Sequence, residues 1–71
     1  MTTRQVAFLV WEYYRYRLNS FERGLLKKLL DGICGLGDIQ DEALKDYLSD
    51  KQMAWIKSLG VKFRVIERKK W

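Results

Sequence analysis

The chain has 71 residues with 14 basic and nine acidic side chains, a net charge of +5, no proline and no histidine. That length holds one domain, residues 1–71, and a domain of this size buries only about 60% of its unfolded surface. The missing histidine removes the usual general base and the commonest metal ligand, which argues against an enzyme and calls for no cofactor.

The chain opens with a marked helix start. Thr2 precedes Gln5 by three residues, the spacing of a capping box, in which each side chain reaches the other residue's backbone N–H. Val6–Leu18 is rich in strand-preferring Val, Phe, Trp and Tyr. The capping box favours a helix, with Val6, Leu9, Val10, Tyr13 and Arg17 along one face. The alternative is a strand paired with Val61–Ile66. The apolar run Val6–Trp11 is far shorter than the roughly 20 residues of a spanning helix, and no secretion signal is visible. The expectation is a cytoplasmic protein that does not enter a membrane.

Asn19-Ser20 reads as a break and a cap. Phe21–Ile33 then follows as an amphipathic helix, with Phe21, Leu25, Leu26, Leu29, Leu30 and Ile33 inward. Gly32, Gly35 and Gly37 read as its terminator, because their order and context do not match a phosphate-cradling loop. Cys34, the one cysteine, forms no internal disulfide and reads as a small buried side chain, in keeping with a reducing compartment.

Asp38 is expected to open a third helix carrying Ile39, Ala43, Leu44, Tyr47 and Leu48 inward, with Asp41 and Glu42 in its first turn. The acids of this stretch lack the alternation of a calcium loop and read as caps and solvated face. Ile39–Ser58 has part of the spacing of a helix-turn-helix. Tyr47 stands where a turn glycine is usual, Glu42 and Asp46 stand where apolar residues are wanted, and the net negative charge repels phosphate. Ser49 and Gln52 repeat the first capping box, and Ser49–Ile56 matches Thr2–Leu9 in chemical type at all but the second position. A short helix is therefore expected from Asp50 to Leu59, stopped by Gly60, with Met53, Ile56 and Leu59 inward. Val61–Val65 alternates apolar and polar, a strand pattern, and a basic tail follows. The fold class is mostly α: a compact domain of three to four short helices with a C-terminal strand or extended basic tail.

Charge is segregated along the chain. Residues 1–30 carry six basic side chains against two acids, residues 31–59 three against six, and residues 60–71 five against one. Basic residues interleaved with aromatics suit backbone neutralisation plus base stacking. Arg15 and Arg17 beside Tyr14 and Tyr16 make one such patch; Lys62, Arg64, Arg68, Lys69, Lys70 and Trp71 make the other, with Phe63 a further stacking ring if it is not core. The first reading of function is a small regulatory protein that binds DNA or RNA through these residues. Ten aromatics in 71 residues also exceed what a small core encloses. The second reading is therefore an inhibitor or adaptor of viral or mobile-element type. Phe8, Trp11, Tyr14 and Trp55 would dock it on a host complex of transcription, replication or CRISPR-type defence. Tyr13, Phe21 and Tyr47 are assigned to the core, and a homodimer through the first helix is a third reading.

Overall fold

The computed structural model describes residues 1–37 and 39–65, with the side chain of Cys34 outside the description. In chain order it contains α1 (Thr3–Tyr14), a 3-10 turn (Arg15–Arg17), α2 (Ser20–Ile33), a second 3-10 turn (Cys34–Leu36), α3 (Asp41–Leu44) and α4 (Asp50–Lys62). No strand occurs among the described residues.

Three helix starts are written locally. Gln5 N–H donates to Thr2 Oγ1 at 3.2 Å while Thr2 N–H donates to Gln5 Oε1 at 3.0 Å. Ser49 and Gln52 repeat this at 3.1 and 2.9 Å. Asn19 and Glu22 form a third reciprocal pair at 2.8 and 3.1 Å, so α2 begins as sharply as the others. Each pair satisfies two backbone groups that the helix itself leaves open.

Segment Val6–Leu18 resolves as a helix followed by a tight corner, despite its strand-forming composition. Thr3, Val6, Ala7 and Val10 are buried at helical spacing and pack the helix on the core, a gain that outweighs local propensity. Arg23 secures the corner after α1: its guanidinium donates to the Arg15 carbonyl at 3.2 Å and the Leu18 carbonyl at 3.1 Å. Leu18 turns inward and is buried.

The core is a single cluster. Val6, Ala7 and Val10 meet Leu26, Leu29, Leu30 and Ile33 of α2, then Leu44 and Leu48, then Met53, Ile56 and Leu59 of α4. Trp11, Tyr14, Leu25, Ile39, Trp55 and Phe63 lie half-buried around it. Tyr13, Phe21 and Tyr47 are not core: they are 70%, 74% and 56% exposed. At about 100° per residue, the stripe of Leu26, Leu29, Leu30 and Ile33 leaves Phe21 well to one side, and Tyr13 sits on the flank of its own buried stripe.

The third helix is one turn rather than three. Asp38 lies outside the described residues, α3 starts at Asp41, and residues 45–47 form a turn. Only Leu44 and Leu48 are buried here, while Ala43 and Tyr47 face solvent. One buried pair gives no continuous apolar stripe to hold a longer helix. The second helix ends at Ile33 as expected, with Gly37 at φ 66° closing the 3-10 turn that follows, whereas Gly60 does not end α4, which runs on to Lys62. The strand expected at Val61–Val65 is instead the last turn of α4 and its cap. Lys62 and Arg64 lie outside any sheet, and Ile66 is outside the described residues.

Candidate functional site

The C-terminal ends of α1 and α4 meet. Tyr14, the last residue of α1, stacks its ring on Phe63, which caps α4; the centroids are 4.9 Å apart and the planes 9° from parallel. Such a stack adds about 0.5–1.5 kcal/mol beyond the area it buries. Two cations attend the same ring. The Arg17 guanidinium carbon lies 5.8 Å from the Phe63 centroid and the Lys62 ammonium 5.4 Å.

Arg64 completes the group through an uncommon backbone. Phe63 N–H donates to the Leu59 carbonyl at 3.0 Å, Arg64 N–H to the Val61 carbonyl at 3.1 Å, and Val65 N–H to the Gly60 carbonyl at 2.7 Å. The last two are the paired bonds of a Schellman turn, which needs a left-handed residue directly after the C-cap. Glycine usually takes that place; here Arg64 does, at φ 61°. The left-handed conformation costs a residue with a Cβ about 1–2 kcal/mol.

Together Tyr14, Arg17, Lys62, Phe63 and Arg64 line a surface cleft of about 310 Å³. Among the described residues its lining contains three cations and no carboxylate, and none of these cations forms a salt bridge. Ion pairs lie elsewhere, Lys27 with Asp31 at 3.6 Å and Lys57 with Asp41 at 3.2 Å. A low-dielectric aromatic floor under clustered cations concentrates positive potential at the cleft mouth.

The two basic patches expected from sequence are regrouped. Arg17 and Tyr14 leave their chain neighbours and join Lys62 and Arg64. Arg15 instead lies over Trp11 at 5.7 Å and over Tyr16 at 5.0 Å, and donates to Tyr16 Oη at 3.2 Å. That hydrogen bond, with the attraction between the two groups, raises the Arg15 pKa and lowers that of the Tyr16 hydroxyl. Arg68, Lys69, Lys70 and Trp71 lie outside the described residues.

The four aromatics assigned to partner binding do not form one surface. Phe8 and Trp11 share a groove of about 350 Å³ between α1 and α2, lined also by Arg4, Lys27, Leu30 and Asp31. Tyr14 belongs to the cationic cleft, and Trp55 is half-buried against the core. Phe63, offered by the sequence as a stacking ring of the basic C-terminal segment, is the ring around which the cleft is built. One contributor escapes the sequence reading: the Arg4 guanidinium carbon lies 5.6 Å from the Phe8 centroid. The four-residue spacing of Arg4 and Phe8 on one helix was the available signal.

Among the described residues no group of acids, cysteines or histidines could hold a metal ion, and no helix is long and apolar enough to cross a membrane. Comparison with protein families, with curated proteins and with solved structures finds no match to this chain.

Proposed function

We propose that this protein is a small basic module that binds nucleic acid without catalysis, using Arg17, Lys62 and Arg64 as its phosphate contacts. The observation that carries the reading is their convergence on the Tyr14–Phe63 stack from positions far apart in sequence. Cations whose described neighbours in the cleft include no carboxylate are ready to replace the counterions of a phosphate backbone, and that release supplies most of sequence-independent affinity. Such contacts fix position on a strand and carry little sequence information, so regulation by occupancy fits better than the reading of a particular site. The sequence adds the positive charges of Arg15, Arg68, Lys69 and Lys70 and the ring of Trp71 to this inventory, and a chain with a single cysteine suits the cytoplasm.

The test is a titration of intrinsic tryptophan fluorescence with single- and double-stranded DNA at several salt concentrations. Binding should weaken linearly on a log–log plot, with a slope near −2 for a single strand that displaces counterions at the three cleft cations. Absence of binding at low salt would reject the reading.

The Phe8–Trp11 groove favours a second reading, an adaptor or inhibitor that docks on a larger protein. Its apolar floor suits an apolar side chain of the partner. Capture of a stoichiometric partner that is lost in Phe8→Ala, kept in Arg17→Ala and little affected by salt would support it over the first.

A further inference from the structure

The strained residue of this chain lies inside its cationic cleft, and the coincidence has a physical meaning. Among the described residues Arg64 is the only one other than glycine with positive φ. The Schellman turn in which it sits would be better served by glycine, which takes left-handed backbone at no steric cost. A side chain kept where it opposes folding points to a use outside folding. Two local explanations are weaker. A positive charge near the end of α4 does offset the helix dipole, but Lys62 already supplies one in the last turn without strain. Packing gives no reason either, because Arg64 is exposed.

What the turn achieves is placement. Reversal of the chain directly after Phe63 sets Arg64 on the cleft that Arg17 enters from the end of α1 and Lys62 from the end of α4. An ordinary helical continuation would carry residue 64 further along the α4 axis. The chemistry of the three side chains also divides. Lys62 is a compact charge, whereas Arg64 and Arg17 each offer a planar fork that grips two oxygens of one phosphate.

We propose that Arg64 is the phosphate-gripping arm of this cleft, held in left-handed backbone for binding at the expense of stability, with the phosphodiester of a single nucleic-acid strand as its ligand. This rests on the nucleic-acid reading above and adds which residue grips and why its backbone is strained.

The experiment compares the full chain with Arg64→Gly and Arg64→Lys by thermal melting and by fluorescence anisotropy of a labelled single-stranded oligonucleotide over a salt series. Arg64→Gly should melt higher, by on the order of 4 °C, because glycine relieves the turn. The same variant should bind on the order of tenfold more weakly, with a salt slope shallower by about 0.7 on a single strand. Arg64→Lys should melt like the wild type and keep the salt slope, yet lose affinity, because the charge remains and the fork does not. If the wild type binds and Arg64→Gly binds equally well, this inference falls while the nucleic-acid reading stands. If Arg64→Lys binds as the wild type does, the gripping role falls. If the wild type binds no strand at low salt, both fall.

Discussion

Asp41 shows how much one side chain contributes when its partners come from different helices. Its carboxylate accepts from the Thr3 backbone N–H at 2.8 Å and the Thr3 hydroxyl at 2.9 Å, and pairs with Lys57 at 3.2 Å. Thr3 is 1% exposed, so its polar atoms depend on this contact. Partial burial pushes the Asp41 pKa up, but the two Thr3 hydrogen bonds and Lys57 outweigh it and hold the group below its ordinary value. Because the native pKa is depressed, the stabilisation is complete above about pH 4 and is lost as the pH falls through the lower native value. Asp41→Asn should cost about 1–2 kcal/mol at neutral pH. It should also flatten this part of the acid limb, as read by urea unfolding across a pH series. The glycines give a prediction of opposite sign. A Cβ at Gly24 or Gly32 meets nothing within 4 Å, and both lie inside α2. Each change to alanine should therefore add about 0.5–1 kcal/mol in thermal melts. At Gly37, where φ is +66°, alanine should destabilise instead. Sequence reading placed Asp41 in the first turn of its own helix and could not see its larger use, because Thr3 is 38 positions away.

Element boundaries were the most legible part of this chain wherever a reciprocal cap wrote them. Thr2 with Gln5 and Ser49 with Gln52 started helices where expected, because a capping box acts within four residues and needs no tertiary partner. Removing the oxygen in Ser49→Ala should cost about 1 kcal/mol, measurable as a lower denaturant midpoint with an unchanged slope. Element ends were read less well. Gly60 looked like a stop and Val61–Val65 like a strand, yet the alternation of two valines and a phenylalanine equally fits a final helical turn. Phe63 finds Tyr14 there, and Arg64 supplies the left-handed residue expected of Gly60. The segment after Asp38 failed for a related reason. Its acids signalled a helix start, but Leu44 and Leu48 alone anchor it, and a single turn satisfies both.

At the scale of the molecule, the fold regroups charges that the sequence spreads over three segments. The acidic middle segment brings Asp41 to the start of α1, while Arg17, Lys62 and Arg64 gather where α1 and α4 end. The candidate cleft was thus half legible. Arg17, Lys62 and Arg64 were each singled out in the sequence, but their grouping depends on the Tyr14–Phe63 contact, which no local spacing encodes. Clustered cations steer polyanions, so under the proposed function the association rate with DNA should fall steeply as ionic strength rises, while dissociation changes less. Stopped-flow fluorescence measures both. The interior leaves little reserve. Leu26 and Ile56 are fully enclosed at the centre of the cluster. Truncating either to alanine should remove about 2–5 kcal/mol from a domain whose total is of order 4–10 kcal/mol, and calorimetry should show at best a broad, low transition.

The grip of Asp41 on Thr3 also decides how the molecule comes apart. The Thr3 amide belongs to the first turn of α1, where hydrogen exchange is ordinarily fast because terminal turns fray alone. Here its acceptor lies across the fold, in the short connector between α2 and α4. That amide therefore becomes labile only when the connector lifts away, and its protection reports on the opening of a segment to which it does not belong.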